Sequence, residues 1–207
     1  MPKILTFFHT AQVHSETFDA LRDRIAPGVV LHHNIRASWL ARAQGGIDAA
    51  LAADIRREVS AARQPAICTC TTIGPIAEAA GAVRIDQPMM WAAAETGGPV
   101  LMVYCLDSTR QPSRDLLETA MLAAGNDSGV EMLPLTGLWP IFEAGEAGEF
   151  AQAIADGVRR HVSENPSIGC VVLAQASMAG AAALLDDMTI PVLSSPELAL
   201  RAGLARL

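Results

Sequence analysis

Cys70 has the strongest claim to chemistry in this chain. It sits in Ala66-Ile67-Cys68-Thr69-Cys70-Thr71-Thr72-Ile73-Gly74-Pro75, an apolar run that breaks into a polar turn and then opens a helix. A thiol and two hydroxyls at a helix start meet backbone N–H groups and the positive end of the helix dipole, which favour anions. A cysteine so placed is expected to tend towards the reactive thiolate. The chemistry this predicts is a site for a small acid, with Cys70 as its reactive group. Thr71 and Thr72 offer hydroxyl and N–H donors to a carboxylate, and the same groups serve equally well as helix caps. The competing reading of Cys70 is a small buried residue under a turn. Cys68 lies two residues earlier on the same strand face and deeper, so it is expected in the core. A single Cys-x-Cys with no second pair is poor evidence for zinc.

The rest of the composition narrows the reaction classes. Lys3 is the only lysine, which argues against an internal Schiff base to pyridoxal phosphate. Neither GxxxxGK[ST] nor GxGxxG occurs, so the phosphate-loop and dinucleotide fingerprints are missing. His14, His32 and His33 have no ligand-like spacing, and no metal is assigned. An enzyme without an organic cofactor is the expectation. The net charge of −7 over 207 residues argues against a nucleic-acid groove or an anionic membrane surface. No apolar run reaches membrane-spanning length. Met1-Pro2-Lys3-Ile4-Leu5 lacks the pattern of a signal peptide. Four cysteines do not make a secreted disulfide framework in a chain of this size. A soluble cytoplasmic protein is expected.

These residues need elements to hold them. Lys3–Phe8 is predicted as a strand with His9-Thr10-Ala11-Gln12 as its polar exit, followed by a helix starting at Ser15 or Thr17. Val29-Val30-Leu31 is a second strand leaving His32-His33-Asn34 at its end. Ile35 to Arg63 is helical in pattern with a break at Gly45-Gly46. After the Cys70 stretch come a helix to Ala80, a strand at Val83-Arg84-Ile85, and a helix from Pro88 to Thr96 in which Met89, Met90 and Trp91 are packing residues. Val100–Cys105 reads as a strand buried on both faces, Leu106-Asp107-Ser108-Thr109-Arg110 as its exit, and Ser113 as the cap of the next helix. A strand at Val130–Leu133 precedes a loop from Pro134 to Gly148 and a helix from Glu149 to about Ser163. Ile168–Leu173 is a further buried strand. It runs into Ala174-Gln175-Ala176-Ser177-Met178-Ala179-Gly180 and a helix to Asp187. Ile190–Leu193 is the last strand, and Ser194-Ser195-Pro196-Glu197 opens the terminal helix.

Apolar strands alternating with helices indicate a parallel α/β fold. The order also repeats: each half holds a strand with a polar exit and, later, a strand–polar turn–helix unit followed by a short strand. Cys70 and Gln175 take matching places about half the chain apart. The expectation is two pseudo-symmetric parallel-sheet αβα lobes, residues 1–96 with 194–207 and residues 97–193, and an active site in the cleft between them at the carboxyl ends of the strands.

With these elements in place, the chain resembles the aspartate/glutamate/hydantoin racemase superfamily. Cys70-Thr71-Thr72 is similar to its Cys-Asn-Thr or Cys-Thr-x element. Val171-Val172-Leu173-Ala174-Gln175-Ala176-Ser177-Met178-Ala179 is similar to its Leu-Gly-Cys-Ala-Gly-Met-Ala element, and Ile190–Pro196 to the short strand that follows. The resemblance implies two pseudo-symmetric lobes and cofactor-free racemisation or epimerisation of a small carboxylate by two cysteines. It further implies a homodimer or higher homo-oligomer, and ligand contacts from His9, Thr10, Thr71, Thr72, Thr109, Gln175, Ala176 and Ser177. His9 is a candidate acid or base near neutral pH; a strand-end histidine with a structural hydrogen bond is the alternative. Ser177 is a carboxylate donor or a plain N-cap. Asp107, beside Thr109, is a charge that selects a cationic or protonated substrate.

One position departs from the pattern. Gln175 stands where the family carries its second cysteine, and an amide transfers no proton at neutral pH. Cys105 is a candidate replacement, with core packing as its other reading. The alternatives are a single-cysteine decarboxylase or isomerase of the same superfamily, or a non-catalytic protein that binds small carboxylates. A cysteine hydrolase is a weaker third, since no histidine follows Cys70 at a recognised spacing.

Overall fold

The computed structural model describes residues 3–62 and 65–207. Met1 and Pro2, used above for the signal-peptide reading, and Arg63, the predicted end of a helix, lie outside the described residues. Those up to Gln87, together with Pro196–Leu207, make one compact unit, and Pro88–Ser195 make the other.

In the first unit, β1 (Ile4–His9), α1 (Val13–Ile25), β2 (Val30–Ile35), α2 (Ala37–Ala43), α3 (Ala49–Ala61), β3 (Ala66–Cys68), α4 (Gly74–Ala79) and β4 (Val83–Arg84) follow in order. The strands form one parallel sheet in the order β2-β1-β3-β4. β1 is central and wholly buried, which explains its continuous apolar run. α3 shows how the sequence builds a helix here. Asp48 caps it, accepting the Leu51 N–H at 2.6 Å. Leu51, Ile55 and Val59 then recur every four residues on one face and pack with Phe8 and Trp39. Each such buried side chain is worth about 1.5–3 kcal/mol of transfer free energy.

β2 departs from the expectation. His32, His33 and Asn34 lie within the strand, in register with Thr6, Phe7 and Phe8, rather than beyond its end. An edge strand is held by its ladder to β1 and needs little apolar surface, so pairing overrides composition.

In the second unit, α5 (Gln87–Glu95) leads into β5 (Val100–Tyr104), α6 (Asp107–Ala124), β6 (Val130–Pro134), α7 (Trp139–Glu143), α8 (Ala147–Glu164), β7 (Cys170–Leu173), α9 (Ala179–Ala183) and β8 (Val192–Ser194). Its parallel sheet runs β6-β5-β7-β8, the first sheet's order repeated. α10 (Ser195–Leu204) then returns the chain to the first unit. The fold is therefore α/β, two similar parallel-sheet units flanked by helices, as the alternation of elements predicts.

Three boundaries differ from the prediction. α6 begins at Asp107, so Ser113 lies inside the helix, fully buried, and does not cap it. The segment from Pro134 to Gly148 is no plain loop: a short 3-10 turn and α7 bring Leu138, Trp139, Ile141 and Phe142 onto the apolar core of Leu101, Phe150 and Ile154. α9 ends at Ala183, short of Asp187.

Candidate functional site

In the first sheet the strand order reverses beside β1, with β2 on one flank and β3 on the other. In open parallel sheets, ligands bind beyond the carboxyl ends of the strands at such a switch point. The exits of β1 and β3 carry His9-Thr10 and Thr69-Cys70-Thr71-Thr72.

Cys70 is buried, and four donors converge on its sulfur: the hydroxyls of Thr10 and Thr72 and the backbone N–H groups of Thr72 and Ile73. Burial pushes the thiol up, while these four bonds pull it down by stabilising the thiolate. The simple expectation of a thiolate at a helix start is thus corrected: burial outweighs the donors. The N-cap position of α4 falls on Ile73.

Two residues that sequence reasoning passed over support this turn. Arg84 and Asp86, both buried, form a bidentate ion pair, Nε to Oδ1 at 3.0 Å and the second guanidinium nitrogen to Oδ2 at 2.9 Å. The Thr71 hydroxyl donates to Asp86 as well. Burial pushes the Asp86 carboxyl up against the pull of Arg84 and Thr71. Gly74 lets the pair come this close, since a Cβ there would stand 3.0 Å from Arg84 Nε. The signal was present in the sequence: an arginine inside an apolar strand, with an aspartate two residues on, has to find a partner when buried.

His9 is fully buried with both ring nitrogens engaged. The Thr69 hydroxyl donates to the Phe8 carbonyl at 3.2 Å, so it accepts from His9 Nδ1–H at 2.8 Å. His9 Nε2 then accepts from Nδ1–H of His33 at 2.7 Å. Burial first, then the neighbouring His33 and His14, lower the His9 pKa to about 3. The imidazole is held neutral and acts as a brace for Thr69, the residue before Cys70. It is not poised as an acid or base near pH 7. A ligand contact from His9 requires one of these two bonds to open.

Cys68 is wholly buried, and its S–H donates to the Cys70 carbonyl at 3.6 Å. Burial pushes its thiol far up. It is a core residue.

In the second unit the corresponding switch point lies beside β5. Gln175, in extended conformation after β7, accepts the backbone N–H groups of Cys105 at 2.6 Å and Leu106 at 3.0 Å on its side-chain oxygen. Ala176 and Ser177 follow in a 3-10 turn, and Thr109 is buried in the first turn of α6. Ser177 caps no helix; its Oγ is buried, with no hydrogen-bond partner among the described residues. Cys105 belongs to the apolar cluster of Leu101, Val103, Phe150 and Leu173, and burial pushes its thiol up to about 12. That environment is the one expected of a core cysteine. Among the described residues, no three His, Cys, Asp or Glu side chains gather as a metal site, and no helix is long and apolar enough to cross a membrane.

The fold of these two units is similar to that of solved glutamate, allantoin and aspartate racemases. Glutamate racemase from Francisella tularensis superposes with a TM-score of 0.69 at 12% identity, over 100% of this chain and 81% of that one. Allantoin racemase from Klebsiella pneumoniae gives 0.66 at 18% identity, over 98% of this chain and 86% of that one. An arylmalonate decarboxylase gives 0.52 at 12% identity, over 99% and 92% respectively. No family model and no curated protein matches the sequence.

Proposed function

We propose that the protein is a cofactor-independent enzyme of the racemase type that acts on a small carboxylate through the thiol of Cys70. The observation carrying this reading is the set of four donors on the Cys70 sulfur. A structural cysteine needs no such set, whereas a sulfur that must carry charge during a proton transfer does. As thiolate, Cys70 takes a proton from the carbon next to the carboxylate; water reprotonates the planar carbanion on its opposite face, and the hydroxide left behind takes the proton back from the Cys70 thiol. Thr71 and Thr72 supply donors for the carboxylate. The similarity to glutamate, aspartate and allantoin racemases supports an isomerase. The reading extends to a cytoplasmic homodimer or higher homo-oligomer.

A second reading is favoured by two observations. Gln175 occupies the matching strand exit of the second unit, and burial pushes the Cys70 thiol up. One neutral thiol suits the end of a decarboxylation: carbon dioxide leaves, the carbanion takes the Cys70 proton, and water then reprotonates the sulfur. Similarity to an arylmalonate decarboxylase is in keeping with this.

Incubation of enantiopure amino acids, hydroxy acids and substituted malonates in D2O, followed by NMR and chiral chromatography, separates the two. Racemase chemistry shows as deuterium at the α carbon of an amino or hydroxy acid, and decarboxylase chemistry as loss of carbon dioxide from a malonate. Cys70→Ser is expected to lower either rate by about 10²–10⁴-fold, the usual contribution of a positioned acid or base. A serine variant as active as wild type overturns both readings.

A further inference from the structure

Gln175 is described so far as the residue that fills a cysteine's place, but its own hydrogen bonds assign it a task. Two backbone donors, Cys105 N–H and Leu106 N–H, converge on a single atom of its carboxamide at 2.6 and 3.0 Å. Two donors meeting at one atom require that atom to be the oxygen, because an amide nitrogen there would set donor against donor. The NH2 group is therefore fixed on the other side of the amide plane. Among the described residues, no hydrogen bond engages it. A carboxamide whose oxygen is already taken by two donors offers the outside only N–H donors.

The geometry points to Gln175 as a positioning and ligand-binding residue: its oxygen clamps the exit of β5 to the exit of β7, and its NH2 group holds an acceptor oxygen of a carboxylate ligand. This inference rests on the reading of the strand exits as a small-carboxylate site. The clamp half follows from the local accounting of backbone groups. α6 runs for 18 residues with Leu106 as its N-cap and has no side-chain cap of its own. The Gln175 oxygen engages the donors at that strand–helix junction, 69 and 70 residues away along the chain. The ligand half follows from what surrounds the amide. Ser177, two residues further along the same strand exit, has a hydroxyl that is buried with no partner among the described residues. An unpartnered N–H2 and an unpartnered O–H on one strand exit suit a carboxylate, which accepts only.

In the first unit the pseudo-equivalent strand exits are joined through Thr10 and Cys70. The same junction is thus made by a reactive group in one unit and by an inert one in the other. Gln175 replaces proton transfer with ligand orientation.

Two substitutions separate the clamp from the donor. Gln175→Glu keeps an oxygen for the Cys105 and Leu106 N–H groups but loses the NH2 donor and adds a negative charge. Gln175→Met loses both. The readouts on the full-length protein are amide hydrogen exchange at Cys105 and Leu106 and the affinity for malonate, used as a plain dicarboxylate probe. Wild type is expected to bind malonate. Gln175→Glu is expected to keep the amide protection within about threefold and to lose at least tenfold in malonate affinity. Gln175→Met is expected to lose at least tenfold in protection at those two amides. Absence of malonate binding by wild type, or unchanged affinity in Gln175→Glu, overturns the donor role. Unchanged protection in Gln175→Met overturns the clamp. Cys70→Ser keeps this inference distinct from the catalytic reading, since it is expected to lower turnover by about 10²–10⁴-fold while binding malonate within a few-fold of wild type. A fully active serine variant sinks the thiol mechanism and leaves the Gln175 result standing.

Discussion

The sulfur of Cys70 and the rings of His9 and His14 are all buried, yet they answer differently to pH because their partners differ. Four donors favour the charged form of Cys70, so removing one raises the thiol further. Thr10→Val takes away one bond to a charged group, about 1.5 kcal/mol. It is expected to slow iodoacetamide alkylation of Cys70 at pH 8 by about tenfold, with the Cys70→Ser protein as background. Among the described residues the two histidines have no partner that favours their charged form, and burial lowers His9 to about 3 and His14 to about 4. Below about pH 6.5 the unfolded chain therefore binds protons that the native one refuses. The stability carried by the neutral rings is present above that pH and is lost as pH falls towards 4. The slope is up to about 1.4 kcal/mol per pH unit for each ring. Urea midpoints between pH 7 and 5 are expected to fall accordingly, and His14→Phe to flatten the slope by one proton.

At the scale of elements, β4 and α10 show how tightly the Cys70 turn is supported. Arg84 and Asp86 carry opposite charges into the core at the end of β4. Arg84→Met leaves Asp86 buried and uncompensated and is expected to cost about 3–5 kcal/mol in urea unfolding, whereas Arg84→Met with Asp86→Leu recovers most of it. If the single and double variants are equally destabilised, the pair is not what holds this turn. α10 packs through Gly203, where an added Cβ would lie 2.6 Å from Ile67 Cδ1 and 3.4 Å from Leu5 Cδ2. Gly203→Ala is expected to cost about 1–3 kcal/mol by overpacking, and Ile67→Val to relieve it by removing that methyl, as thermal unfolding of the single and double variants would show.

For the whole molecule, the chain path matters most: the first unit is discontinuous, with the second inserted before α10. Ala199 and Leu200 on α10 are fully buried. Ending the chain after Ser195 is expected to weaken amide protection in β1 and β3 by several kcal/mol, from the loss of these buried side chains and the contacts of Gly203. Protection in β5 and β7 is expected to change far less. Hydrogen exchange read by mass spectrometry distinguishes this from a uniform loss.

Much of this was legible in the sequence, and particular residues show why. The apolar runs of β1, β5 and β7 stand out because strands buried on both faces of a parallel sheet tolerate little else. Cys70-Thr71-Thr72 stands out because a polar turn after such a strand is where donors gather. Other features were decided by contacts distant in the chain. β2 extends through His32 and His33 because β1 pairs with it, and α7 forms because Trp139 and Phe142 find an apolar surface. The thiol of Cys70 is held up by burial that local spacing does not reveal. His9 is neutral because Thr69 and His33 occupy its two nitrogens. Sequence alone determined the α/β alternation, the internal repeat and the candidate cysteine, since these depend on local periodicity and residue type. Only the tertiary structure decided protonation and orientation: the lowered His9, the Arg84–Asp86 support, and the Gln175 amide turned with its oxygen on Cys105 and Leu106. Those properties belong to pairs of groups that the fold brings together, and no single stretch of the chain contains both members.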